Sequence, residues 1–109
     1  MSLVPGFPDR VHYINHEKCE AAFVQGGRVI EDGALTVIAN RGRQRGAEMH
    51  DMTNHVFIIV DGEADFITGG TMHHLTKGDI IAIPAKTPHQ WKDTSKTGSV
   101  CYYAVNYQT

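Results

Sequence analysis

Four side chains in this chain of 109 residues have the types and spacing to grip a cation. Glu48, His50 and His55 fall within residues 46–62, GAEMHDMTNHVFIIVDG, and His89 falls within residues 78–91, GDIIAIPAKTPHQW. Three imidazoles and one carboxylate suit a single divalent transition metal ion: Fe, Mn, Ni, Co or Zn. Four such ligands on an octahedral ion leave two positions for water, dioxygen or a chelating substrate. The ion could then act as a Lewis acid on a small oxygen-bearing substrate, or activate water or dioxygen. Without a metal, the same set reads as a polar pocket in which imidazoles satisfy a buried carboxylate.

The surrounding pattern must bring His89 back to the other three. Glu48 and His50 are two residues apart, so on a strand they share a face. His55 has the opposite parity, and the polar residues 51–54 can supply the loop or bulge that resets it. His55, Phe57 and Ile59 then point one way, and Val56, Ile58 and Val60 the other. A strand apolar on both faces is covered on both sides. One cover can be the interior of a barrel and the other a second subunit. His89 follows Pro84 and Pro88. Pro84 should end the preceding strand, and Pro88 fixes the backbone ahead of the next. Trp91 shares the face of His89, as Phe57 shares that of His55, so both are candidate walls of a substrate pocket.

The rest of the chain reads as short strands divided by turns. Strands are expected at 21–24, 27–30, 34–39, 47–50, 55–60, 64–68, 71–75, 79–83, 89–92 and 99–107. Glycine-bearing turns separate them at 26–27, 32–33, 61–62, 69–70, 77–78 and 97–98, where Asp-Gly and Gly-Gly supply the positive φ angles of hairpins. Such regular spacing with no substantial helix predicts an all-β sandwich or barrel. Residues 1–15, with Pro5, Gly6 and Pro8, read as an N-terminal arm, and 16–109 as one domain.

These residues carry a family pattern. The chain resembles a small single-domain cupin, a double-stranded β-helix or jelly-roll barrel, over about residues 34–105. The first cupin motif has a glycine, a His-x-His pair, a glutamate and a later glycine. Here Glu48 and His50 stand in the places of the two histidines, and His55 stands in the place of the glutamate, six residues before Gly62. The composition of one Glu and three His is kept, with two positions exchanged. In the second motif Gly78, Pro84 and His89 match, Lys86 replaces an inner glycine, and Asp93 occupies a place where asparagine is common. The Glu-x-His beginning is similar to that of a group of small bacterial cupins. The resemblance implies the barrel, metal binding and a homodimer through the N-terminal strands. It spans dioxygenases, isomerases, epimerases, lyases and binding domains, and so does not select a reaction.

Other polar residues are weaker candidates. Tyr102 and Tyr103 face opposite ways on the last expected strand, so one reaches the interior, where it could act as an acid, a base or a hydrogen-bond donor. Arg41, Arg43 and Arg45 alternate along one face. They read as a solvated edge that discourages strand pairing, with Arg45 the candidate to hold an anionic substrate beside the metal. His73 and His74 read as solvated hairpin residues. Cys19 and Cys101 read as reduced thiols. Twelve acidic against ten basic residues, net charge −2, exclude an electrostatic case for nucleic acid or an anionic membrane. No apolar run is long enough to span a bilayer, and the N-terminus lacks the features of a signal peptide, so the expected location is cytoplasmic. The leading functional reading is a mononuclear metalloenzyme with a small-molecule substrate. The alternatives are a non-catalytic small-ligand-binding or sensor cupin, and a vestigial one without metal.

Overall fold

The computed structural model describes Phe23 and residues 27–42, 53–96 and 98–108. Eight strands make up these residues: β1 (Gly27–Asp32), β2 (Leu35–Arg41), β3 (Thr53–Asp61), β4 (Glu63–Thr68), β5 (Thr71–Thr76), β6 (Ile80–Ile83), β7 (His89–Asp93) and β8 (Cys101–Gln108). They form two sheets, one of five strands in the order β1-β2-β8-β3-β6 and one of three in the order β5-β4-β7. Every pairing is antiparallel. The all-β architecture read from the sequence is what the structure shows.

Turn chemistry sets this topology. Gly69 and Gly70 have φ of 58° and 77°, and Thr68 pairs directly with Thr71. A two-residue loop with both φ positive joins β4 to β5, and glycine reaches that conformation without a Cβ clash. Gly62, with φ of 80°, turns the chain from β3 in one sheet to β4 in the other. A Cβ there would lie 2.4 Å from Ser95 Oγ and 2.9 Å from Val100 Cα, so only glycine lets the two sheets meet at that corner. Pro84 follows the last residue of β6 and Pro88 precedes the first of β7, as their backbone restrictions require. Gly27 lies within β1 rather than in a turn.

The core lies between the inner faces. Phe57, Ile59, Ile83, Tyr102 and Ala104 meet Ala64, Phe66, Leu75 and Trp91, with Val100 alongside. Its aromatic rings interlock. Phe57 lies 5.3 Å from Phe66 and 5.7 Å from Tyr102, and Trp91 lies 5.9 Å from Phe66 and 5.3 Å from Tyr102, centroid to centroid. These separations are those of favourable aromatic pairs.

The outer face of the larger sheet carries a second cluster. Val37, Ala39 and Tyr103 are buried there, with Ile58, Val60, Val105 and others packed around them. The inner face of β3 is thus covered as expected, whereas Ile58 and Val60 on its outer face are only partly buried. Part of the outer cover comes from the chain itself, because the ring of Phe23 lies 5.0 Å from that of Tyr103. The strand expected at 21–24 is not supported at Phe23, whose backbone is helical. The expected strand at 47–50 lies outside the described residues. No helix among the described residues is long and apolar enough to cross a membrane.

Candidate metal centre

Strand alternation and register bring His55 and His89 together. His55 is the third residue of β3, in phase with Phe57 and Ile59 on the inner face of the larger sheet. His89 opens β7, in phase with Trp91 on the inner face of the smaller one. Both histidines are buried, and their ring centroids are 5.4 Å apart at an interplanar angle of 65°.

Each imidazole is oriented through Nδ1. His89 Nδ1 lies 3.0 Å from the backbone carbonyl oxygen of Thr87. A carbonyl only accepts, so Nδ1 carries a proton, and in the neutral ring Nε2 then holds the lone pair. His55 Nδ1 lies 2.5 Å from Oδ1 of Asn106, the residue directly opposite it on β8. With the amide oxygen as acceptor, His55 adopts the same form. Both Nε2 atoms are buried. A buried neutral imidazole whose Nδ1–H is held by an oxygen is the form in which histidine ligates a metal through Nε2.

The loop that delivers His89 is tied to β3. The backbone N–H of Ala85 donates to Asn54 Oδ1 at 2.9 Å, and Asn54 Nδ2 donates to the Tyr107 carbonyl at 3.4 Å. Asn54 therefore belongs to β3, which begins at Thr53, and is not part of a preceding loop. Within the same loop Lys86, at the place of the motif glycine, has φ of 65°.

The candidate walls sit beneath the histidines. Phe57 stacks on His55 at 5.5 Å and 10°, and Trp91 lies two residues along β7 from His89. Tyr102 faces this interior, whereas Tyr103 faces outward into the second cluster. Successive strand residues alternate faces, so the two tyrosines could not both enter, and Tyr103 is separated from the histidine pair. Glu48, His50 and Arg45 lie outside the described residues. Among the described residues, no group of three or more His, Cys, Asp or Glu is gathered closely enough to hold an ion. The described part of the centre is two imidazoles, whose donor chemistry fits a divalent transition metal.

The remaining candidates fall elsewhere. His73 and His74 are both exposed on β5, as expected. By register His73 opposes Phe66, whereas His74 opposes Asp65 on the solvent side. His74 Nδ1 is 2.6 Å from Asp65 Oδ1 and its Nε2 is 3.4 Å from Glu63 Oε1. The hydrogen bond to Asp65 is the main reason its pKa is raised above 6.5. Asp93 braces the chain between β7 and β8, because its carboxylate accepts from the backbone N–H groups of Ser95 and Val100, at 3.0 and 3.1 Å. Cys101 is a free, half-buried thiol whose pKa burial pushes up, and Cys19 lies outside the described residues.

Two antiparallel sheets enclosing an aromatic core, with paired histidines at the start of β3 and β7, define a small β-barrel protein with a polar site in its interior. The chain belongs to the cupin family: the family's profile, described as Cupin domain, matches residues 34–106. Solved structures of similar fold include the cupin domain of Cnp3 from Schizosaccharomyces pombe. It is 14% identical, with 77% of this chain and 64% of that chain covered and a TM-score of 0.68. KdgF from Halomonas sp. is 16% identical, with 76% of each chain covered and a TM-score of 0.67. FeII HppE in complex with substrate is 16% identical, with 75% of this chain but 52% of that chain covered and a TM-score of 0.65. The chain thus spans less than two thirds of the Cnp3 domain and about half of HppE. No curated protein sequence matches it.

Proposed function

We propose that this cupin binds one divalent transition metal ion through Glu48, His50, His55 and His89, and that it is a mononuclear metalloenzyme acting on a small oxygen-bearing substrate. The observation that carries the reading is the pair of buried imidazoles, 5.4 Å apart, each held through Nδ1. The FeII bound by HppE is a property of that protein, but it makes iron a reasonable first metal to test here. When bound, the ion would supply Lewis acidity and a site for water or dioxygen. The chain's own part is to orient two ligands and exclude water from one side of them. Because Phe57, Phe66, Trp91 and Tyr102 pack ring against ring next to the histidines, the space left for a ligand suits a small molecule. Tyr102 shares the interior face but stands opposite Ile59, four residues along β3 from His55, and packs against Phe57, so it closes the floor of the site. The apolar outer face of the larger sheet, only partly covered by Phe23, supports a homodimer across it; a monomeric mass in sedimentation at micromolar concentration would count against that.

Metal analysis of the purified, metal-loaded protein tests the centre. His55→Ala and His89→Ala should each lose stoichiometric metal, while His73→Ala should keep it. Full retention in both of the first two variants would end the assignment. Oxygen uptake and product formation across diketones, catechols, thiols and keto-sugars, with each metal restored, then test catalysis. A firmly held metal with a retained small ligand and no turnover would favour the sensor reading.

A further inference from the structure

The geometry points to Asn106 as the positioning residue that sets His55 for ligation through Nε2, an assignment that rests on the metal-binding reading above. Asn106 lies on β8 in phase with Tyr102 and Ala104, and so on the inner face, directly across from His55. Its Oδ1 stands 2.5 Å from His55 Nδ1. The two tautomers of a neutral imidazole are of similar energy in water, so an isolated His55 would populate both. Only the form protonated on Nδ1 presents a lone pair at Nε2. An acceptor at Nδ1 selects that form, and the fraction of protein ready to bind an ion rises with it. For His89 the Thr87 carbonyl has the same effect through a backbone atom, which no side-chain substitution removes. For His55 the acceptor is a side chain, and an asparagine can serve in only one of its two amide orientations. Turned over, the NH2 group would donate to Nδ1 and force the proton onto Nε2, the non-ligating form.

The test uses the full chain, metal-free and 15N-labelled, above the titration range of imidazole. Long-range proton–nitrogen spectra report which ring nitrogen of each histidine is protonated, and a His55→Gln variant assigns the signals of His55. In the wild-type protein, His55 and His89 should both carry their proton on Nδ1. In Asn106→Leu, the His55 proton should move to Nε2 or into a mixture, while His89, held by the backbone, stays unchanged. Asn106→Asp, an acceptor of the same shape, should restore the wild-type pattern. In titrations with Zn2+ alone, Asn106→Leu should bind about 10–100-fold more weakly, the usual effect of removing such a support, and Asn106→Asp at least as tightly as wild type. A wild-type His55 protonated on Nε2 would overturn the assignment, as would an Asn106→Leu protein with unchanged tautomer and unchanged affinity. If Asn106→Leu does not fold, the wild-type and Asn106→Asp spectra still decide. A protein that takes up no Zn2+ in any variant would refute the metal reading, which the metal-free spectra do not depend on.

Discussion

Replacing Lys86 by glycine should stabilise this protein. Lys86 lies between Pro84 and Pro88 with φ of 65°, where its Cβ crowds the neighbouring backbone. For an L-residue the left-handed conformation costs roughly 1–2 kcal/mol. Glycine removes that cost, but its greater freedom in the unfolded chain takes back about 0.5–1 kcal/mol. The side chain is exposed, so little packing is lost. The net gain should be about 0.8 kcal/mol, or roughly 3 °C in the midpoint of thermal unfolding for a domain of this size. Circular dichroism during thermal and urea unfolding measures both. Lys86→Ala keeps the left-handed strain and should stay within about 0.5 kcal/mol of wild type. Lys86→Val adds branching at Cβ, the worst case at positive φ, and should be the least stable of the four proteins. A glycine variant weaker than wild type, or a valine variant equal to it, would show that residue 86 is not left-handed in solution and refute the argument.

Other perturbations test the frame around the site. Gly62→Ala should destabilise by about 2 kcal/mol or more in urea unfolding, because its Cβ would displace the Ser95 hydroxyl that accepts from the Glu63 N–H at 3.0 Å. His74 should make stability fall as pH rises above 6.5. Its folded pKa is raised above 6.5 by Asp65 and Glu63, so its contribution is complete below 6.5 and is lost as pH rises through the higher folded value. The pair is exposed and the effect correspondingly small; wild type and His74→Gln should converge at high pH, and parallel stability curves would contradict the assignment.

Much of the frame was legible because its signals are local. Asp-Gly and Gly-Gly pairs mark corners that only positive φ can turn, and Pro84 and Pro88 bracket the gap between β6 and β7. Parity alone placed Phe57 with His55 and Trp91 with His89. What stayed hidden needed partners distant in sequence. Asn106 is an inconspicuous polar residue in an apolar run until the register of β3 against β8 sets it opposite His55. The same register decides that Tyr102 and not Tyr103 turns inward. The missing glycine at position 86 was visible as a departure from the family's motif, but its backbone consequence was not. Phe23 defeated the strand reading because a short apolar run has no periodicity long enough to distinguish extended from helical backbone.

Trp91 is the single tryptophan of the chain, buried two residues from His89 and wedged between Phe66 and Tyr102. The protein therefore carries one indole fluorophore, and it sits at the seam between the two sheets and close to the candidate ligands. Its emission should report opening of the barrel without contribution from any second indole. A paramagnetic ion captured beside His89 would quench it, so occupancy could be followed optically with no label added.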